Sequence, residues 1–381
     1  MVSGKSPSLL VLSFSEIESD ARVLKQVRLF AERGFDVYTC GFGDAPPEAT
    51  RHFRLSPQVP RKLVLVQAAL YRLHLYRSAY WVNPYVRAAR KVLRELKVER
   101  VIANDLDTAA LALAIAPAQR VHLDLHEYWP GRDDNNAAWV RLRQPFMKWQ
   151  LRTFASKIAS VTTVSTTIAR RYADEFGIAA GTVTNASPYR NLVPRQVSAP
   201  IRLVHSGASR ANRRIEVMMR AVAASKNDVL FDLYLTGMGT PYHDQLLQLA
   251  DELGERIQVL PPVPHESLVD KLNEYDIGIH LLPPTNSNNM LALPNKFFDY
   301  VQARLGLIIG PTASMADLLH EYSLGVVASD FTTESLTAAI DDLDVASVQA
   351  YKSRSDAAAH ELSAEAQNGV WSEAIARLDR S

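Results

Sequence analysis

The chain has a single cysteine, Cys40, among its 381 residues. No disulfide can form within it, and a reducing compartment is the expected setting. No cluster of Cys and His has the spacing of a metal site, so none is expected. No run approaches the ~20 consecutive apolar residues that a spanning helix needs. Residues Met1 to Pro7 lack the apolar core of a secretion signal. Together these absences predict a cytoplasmic protein, or one held peripherally at the inner face of a membrane. No segment repeats at a short fixed period, which excludes solenoids and propellers. With 47% hydrophobic and 22% charged residues, the composition is that of a folded globular protein and excludes wholesale disorder. The length suffices for two α/β domains, each with its own core.

The charge is unevenly placed. Residues 1–195 carry 28 Lys and Arg against 17 Asp and Glu, whereas residues 196–381 carry 14 against 24. A basic half joined to an acidic half predicts that the first meets an anionic partner. The excess concentrates between Arg61 and Arg100, where ten Lys or Arg face only Glu95 and Glu99. Leu, Tyr and Trp are interleaved there, as they are again from Trp139 to Lys157. Basic, aromatic-rich helices are what an anionic membrane surface attracts. Arginine-rich helices that pack through their stems give the same pattern. No nucleic-acid-binding motif accompanies the charge, so nucleic acid is not an expected partner.

Short apolar runs predict strands at Leu9–Phe14, Phe35–Thr39, Arg100–Ala103, Val121–Leu125 and Ser160–Val164. Helical spacing separates them: Val23, Val27, Phe30 and Ala31 share one face, and Gly34 supplies a stop. From Ala186 to Pro200 the pattern lapses, and a linker is expected. Alternation then resumes with strands at Ile201–His205, Leu230–Thr236, Ile257–Leu260, Ile277–Leu281 and Leu307–Gly310. The expected class is α/β, with two doubly wound Rossmann-like domains facing each other across a cleft. The expected divisions are a basic acceptor-binding domain over 1–190, an acidic nucleotide-binding domain over 200–360, and a C-terminal helix in 361–381 returning to the first domain.

Candidate site residues cluster after strands. Ser206-Gly207-Ala208-Ser209 leads through Arg210, Arg213 and Arg214 into a helix, which suits phosphate. Gly237-Met238-Gly239-Thr240 is a similarly placed loop, and Asn288 and Asn289 stand in a polar loop able to meet sugar hydroxyls. In Leu293-Pro294-Asn295-Lys296-Phe297-Phe298-Asp299-Tyr300, Pro294 suits a first helical turn. Lys296 and Asp299 are then i, i+3 neighbours, ~5–6 Å apart. A lysine so placed can face a diphosphate while the carboxylate accepts from ribose hydroxyls; an ordinary surface ion pair is the alternative. In the first half His126 and Glu127 end a strand, Asp105 ends another, and Glu16 and Asp20 follow the first strand. Glu16, Asp20, Asp105 and Glu127 are the carboxylates available to an acceptor hydroxyl.

Ser19-Asp20-Ala21-Arg22-Val23, Asp124-Leu125-His126-Glu127, Thr163-Val164-Ser165, Gly207 through Arg213 and the Pro294–Tyr300 stretch occur together in this order. With them the chain resembles the retaining glycosyltransferases of family 4, of GT-B fold, in a subgroup with a Pro-Asn-Lys donor motif. The resemblance implies a metal-independent enzyme without cofactor. It would move a sugar from a nucleoside diphosphate sugar (UDP first, GDP second) to a hydroxyl acceptor, lipid-linked or glycan, in envelope or extracellular polysaccharide or glycolipid synthesis. It implies that Asp299 holds the ribose, that Lys296 and Arg213 neutralise the diphosphate, and that His126 meets the donor sugar. Three positions depart from the family pattern. Leu291 stands where many members have a second carboxylate, Asp299 replaces the usual Glu, and Arg304-Leu305-Gly306 replaces Gly-x-Pro. Leu291 and Asp299 motivate a second reading, a catalytically silent GT-B subunit that binds a partner or glycan; a nucleotide-sugar epimerase of GT-B fold is a third. Without the resemblance, Asp20 or Glu127 would equally serve as base in an inverting enzyme.

Overall fold

A computed structural model describes residues 6–378. Contacts divide the chain into two units, one running to Val183 and resuming at Asn368, the other spanning Thr184–Gln367. The first unit holds strands β1 (Ser8–Glu16), β2 (Asp36–Phe42), β3 (Arg51–Arg54), β4 (Arg100–Asn104), β5 (Val121–Leu125), β6 (Ser160–Thr163) and β7 (Gly181–Thr182). They form one sheet in the order β3-β2-β1-β4-β5-β6-β7, and every pair is parallel. The second unit holds β8 (Ile201–Ala208), β9 (Val229–Thr236), β10 (Ile257–Leu260), β11 (Ile277–His280), β12 (Gly306–Ile309) and β13 (Gly325–Val327). Its sheet runs β10-β9-β8-β11-β12-β13, again all parallel. Each is a doubly wound sheet whose strand order reverses beside its first strand, at β1/β4 and at β8/β11.

All ten strands expected from apolar runs are present. The three that the pattern missed, β3, β7 and β13, are short edge strands with few residues to show a period. The helix Ala21–Glu32 starts where Asp20 Oδ1 accepts from the N–H groups of Arg22 and Val23 at 3.2 Å each. It buries Val23, Val27 and Phe30 against Leu9 and Val11 of β1. Trp371 and Ile375, from the last helix (Ala364–Arg377), join this same core.

The stretch 186–200 is not a free linker. The Val183 N–H donates to Thr163 of the first sheet. From Ser187 onward the chain bonds into the second unit: the Tyr189 N–H to Glu365, that of Arg190 to Gln302 and that of Val197 to Gln349. Its irregular sequence reflects anchoring by side chains rather than by a ladder.

Candidate functional site

In the second unit the helix Asn295–Gln302 builds the site. Phe297, Phe298, Tyr300 and Val301 are buried, which turns the helix toward β8 and β11. A Cβ on Gly278 would stand 2.4 Å from the Tyr300 ring, so the glycine is what lets that ring lie on β11. The Tyr300 hydroxyl donates to the Ile279 carbonyl at 3.3 Å and accepts from the Ser206 N–H at 3.4 Å. These bonds hold the helix at the carboxyl ends of β8 and β11, where the strand order reverses and ligands bind in such sheets.

Lys296 and Asp299 line one cavity of about 420 Å³, with Gly207 beside them and Tyr234, Val263 and Leu268 as an apolar wall. The Lys296 ammonium rests on Gly207, where a Cβ would come within 2.3 Å of Nζ. Burial and the neighbouring Arg213 lower Lys296 to about 8, with Asp299 acting against them. Arg213 is itself lowered by burial and by Arg210. Asp299 is buried, and its Oδ1 accepts from the Ser187 hydroxyl. A lysine ammonium, an apolar wall and a carboxylate thus share a cavity beside a helix N-terminus, the arrangement that suits an anion with an apolar extension.

Two histidines that sequence reasoning left unassigned stand behind the ammonium. His205, within β8, and His280, the last residue of β11, stack with ring centroids 5.9 Å apart and planes 16° apart. His205 Nδ1 donates to the Ile279 carbonyl at 2.9 Å, which leaves Nε2 with its lone pair. Burial and Lys296 lower His205 to about 3 and hold His280 well below the ordinary imidazole value. Both rings are neutral at pH 7. Neither nitrogen of His280 has a hydrogen-bond partner among the described residues. A histidine in each of the two strands at the point of reversal was the available signal.

Gly237, Asn288 and Asn289 do not line this cavity, and Arg213 acts on it only through its charge. Gly237 adopts φ +92°, and a Cβ there would meet Ser209 Oγ at 2.8 Å. Asn288 and Asn289 lie in the short helix Ser287–Met290, and Asn289 Nδ2 donates to Thr285 Oγ1 at 2.6 Å. The expected polar loop is therefore partly satisfied within itself. Leu291 is buried, and its carbonyl accepts from Ser314 Oγ at 2.7 Å. Arg304 takes the left-handed position that ends the helix, at φ +61°. Its buried guanidinium donates to Asp356 at 2.7 Å and to the carbonyls of Gln302 and Arg190 at 2.6 Å each.

The first unit has its own polar centre, at the carboxyl ends of β4 and β5. Asp124 is fully buried and takes a fork from Arg22, at 2.8 Å from Nε and 2.7 Å from Nη2. Gln26 Nε2 and Thr162 Oγ1 each add a bond of 2.7 Å. Burial works to raise the Asp124 carboxyl, but the Arg22 charge and the bonds from His126 and Arg22 outweigh it and keep it ionised far below the usual range. The Arg22 guanidinium also lies 4.9 Å over the Trp371 ring.

His126 stands just past β5. Its Nε2 donates to Asn104 Oδ1 at 3.0 Å and lies 3.5 Å from Asp124 Oδ2, and its Nδ1 is 3.4 Å from Asp105 Oδ2. Burial lowers the ring, yet Asp105 and Asp124 more than offset it, and the net shift is upward. With acceptors at both nitrogens, the imidazolium form is favoured. Asp105 is held at φ +67°, an uncommon backbone for aspartate. The N–H of His126 and the Trp129 indole fix its Oδ1 at 3.0 and 3.1 Å.

Of the four acceptor-side carboxylates, Asp105 pairs with the His126 ring. Glu127 pairs with Arg132 at 2.9 Å, Asp20 caps its helix, and Glu16 is exposed at the end of β1. Arg22, Gln26 and Thr162 had not been assigned to a site. A polar pair at i, i+4 on the otherwise apolar face of Val23, Val27 and Phe30 was the signal for the first two.

Residues 21–185 match the family model described as Glycosyltransferase Family 4. No curated protein sequence compared with the chain matches it. Solved structures do match, with low identity. Sucrose-phosphate synthase from Thermosynechococcus elongatus superposes with a TM-score of 0.70 at 13% identity, over 98% of this chain and 99% of its own. The E. coli trehalose-6-phosphate structure bound with UDP-2-fluoro glucose gives 0.67 at 14%, over 97% and 98%. Anabaena HepE in complex with UDP and glucose gives 0.67 at 14%, over 97% and 99%. The chain therefore has the GT-B fold, and residues 21–185, most of its first unit, carry the family 4 glycosyltransferase pattern.

Proposed function

We propose that the protein is a glycosyltransferase that moves a sugar from a UDP-sugar to a hydroxyl acceptor with retention. The observation that carries this reading is the cavity shared by Lys296 and Asp299 on one helix. Lys296, supported by Arg213, holds the diphosphate, Asp299 accepts from the ribose, and the apolar wall at Val263 and Leu268 takes the base. These fixed cations do the work of a divalent ion. UDP is preferred to GDP because two structures of the same fold hold UDP or a UDP-sugar analogue. His126, whose ring Asp105 and Asp124 shift toward the protonated form, acts on the donor sugar.

In the transfer the bond from the anomeric carbon to the phosphate oxygen breaks and a bond to the acceptor oxygen forms on the same face. The leaving phosphate takes the acceptor proton. Cations fixed before reaction stabilise the charge that develops on that phosphate. The basic helices between residues 61 and 100 dock on an anionic membrane surface, which is the place of reaction, with a lipid-linked acceptor in envelope glycan synthesis. Leu291, a buried leucine, favours one alternative, a silent subunit that binds the nucleotide without turning it over.

The purified protein tests this with UDP-glucose, UDP-N-acetylglucosamine and GDP-mannose. A bound UDP-sugar at 100 times its Kd stabilises the fold by about 2.7 kcal/mol, so its Tm rises, and UDP is released on turnover. A Tm unmoved by every nucleotide refutes the donor site. Stabilisation without UDP release, with or without acceptor lipids, establishes the silent subunit instead.

A further inference from the structure

The first unit has a second cavity, away from the Asp124–His126 centre. The helices Pro84–Val92 and Leu106–Ile115 flank β4 in sequence. In a parallel sheet such helices carry the chain back to the amino edge, so their C-terminal ends lie opposite the edge that bears Asp105 and His126. A cavity of about 720 Å³ opens there. Leu93, Leu111 and Ile115 form its floor, and Arg87, Arg90, Lys91 and Arg94 form its wall, with no carboxylate in the lining.

The four cations follow one another at i, i+3, i+4 and i+7, a single stripe along the helix and the turn after it. Like charges at that spacing repel. Among the described residues none of the four makes a side-chain ion pair or hydrogen bond; Arg90 lies 5.1 Å over the Trp81 ring, which holds its guanidinium in place. Cations at a helix C-terminus ordinarily complement the dipole. That accounts for Arg90 and Lys91 in the last turn, but not for Arg87 before it, Arg94 beyond it, or the apolar floor beneath.

We propose that this cavity is a binding site for the phosphate headgroup of an anionic lipid. The cations meet the phosphate oxygens, and Leu93, Leu111 and Ile115 receive the carbon skeleton next to the phosphate. A lipid is the source because Val92, on the same helix, is 40% exposed, and the preceding segment exposes Val64, Leu65, Leu73 and Leu75 at 47–66% among its own cations. A free sugar phosphate would have no use for that surface. The site rests on the membrane-surface part of the proposed function and is independent of the donor cavity.

The test titrates the full chain with dihexanoyl phosphatidic acid, kept below its micelle concentration, and with inorganic phosphate. In parallel, the protein is floated with phosphatidylcholine vesicles with and without phosphatidylglycerol. The short-chain lipid is expected to bind at one saturable site, at least ~10-fold tighter than phosphate, a difference of about 1.4 kcal/mol. R90E/R94E should weaken it by at least ~10-fold with unchanged UDP binding and circular dichroism. K62E/R72E, on the earlier helix Arg61–Arg72, should reduce flotation and leave the short-chain lipid bound as in the wild type. Equal affinity for phosphate and lipid overturns the proposal in favour of an inorganic anion site. Displacement of the lipid by a single-stranded oligonucleotide of similar affinity overturns it as well. Flotation without short-chain binding replaces the site by a diffuse charged surface. Failure of wild-type flotation on phosphatidylglycerol removes both the surface reading and the lipid source, whatever UDP does.

Discussion

Substituting Gly207 by alanine separates binding from stability at the donor cavity. The added Cβ would lie 2.3 Å from Lys296 Nζ and 2.7 Å from Cε. Both atoms are the far end of a flexible side chain, so Lys296 swings away and the core does not have to deform. The folding cost then comes from the backbone, whose φ of +155° at Gly207 is awkward for alanine by about 1–2 kcal/mol. The ligand loses more, because a charge-assisted hydrogen bond contributes about 1.5–3 kcal/mol, or about 10–150-fold in UDP affinity. The decisive measurement is a double-mutant cycle by calorimetric titration of UDP into the wild type, Gly207→Ala, Lys296→Ala and the double variant. If alanine acts by displacing the ammonium, all three variants lose about the same affinity, and the double loses no more than Lys296→Ala. Losses that simply add, or an unaltered UDP affinity in Gly207→Ala, would refute the placement of the phosphates against Lys296 and Gly207.

Three further outcomes follow from the same geometry. Lys296 has a folded value of about 8 against 10.5 when exposed. Its ammonium therefore costs stability below pH 8, and that cost is released as pH rises from 8 to 10.5. Over this interval UDP affinity should fall in the wild type and hold nearly level in Lys296→Arg, as titrations from pH 7 to 10 will report. Asp299→Asn keeps an oxygen for the Ser187 hydroxyl but removes the carboxylate. It should weaken UDP by about 10-fold or more while inorganic pyrophosphate binds as before; equal losses for both ligands would deny Asp299 a ribose role. Arg22→Ala leaves Asp124 buried without its fork, which costs about 3–5 kcal/mol in comparable buried pairs. The bonds from Gln26 and Thr162 place the expected loss near the lower figure, measured as a drop in the urea midpoint.

The strands of both sheets were legible because buried parallel strands are continuous apolar runs, as at Leu9–Leu12 and Leu307–Ile309. The helix at Ala21–Glu32 was legible from the spacing of Val23, Val27 and Phe30, and the one at Asn295–Gln302 from Pro294 and the aromatics behind it. That Lys296 and Asp299 stand one turn apart on the same helix followed from helical spacing alone. Less visible were groups that meet across strands. His205 and His280 are 75 positions apart in a chain in which β8 and β11 become neighbours only when the sheet forms. Arg22, Asp124 and Thr162 converge for the same reason. Arg304, where the resemblance implies a glycine, reads as a loss of pattern in sequence. In the structure it is a buried anchor for Arg190 and Asp356.

Read alone, the amino acids settled the local matters: two series of buried strands, the helices between them, and a lysine and carboxylate one turn apart beside a polar loop. Period and propensity act within a few residues, so these needed no knowledge of the rest of the chain. Only tertiary structure decided which candidates keep company. It placed Lys296 and Asp299 in one cavity against Gly207, with Asn288 and Asn289 outside its lining. It joined His126 to Asp105 while Asp20 capped a helix and Glu127 paired with Arg132. It also turned four arginines and lysines of an ordinary basic stretch toward an apolar floor. Such partnerships depend on sheet order and crossover direction, which long-range packing selects and no local spacing encodes.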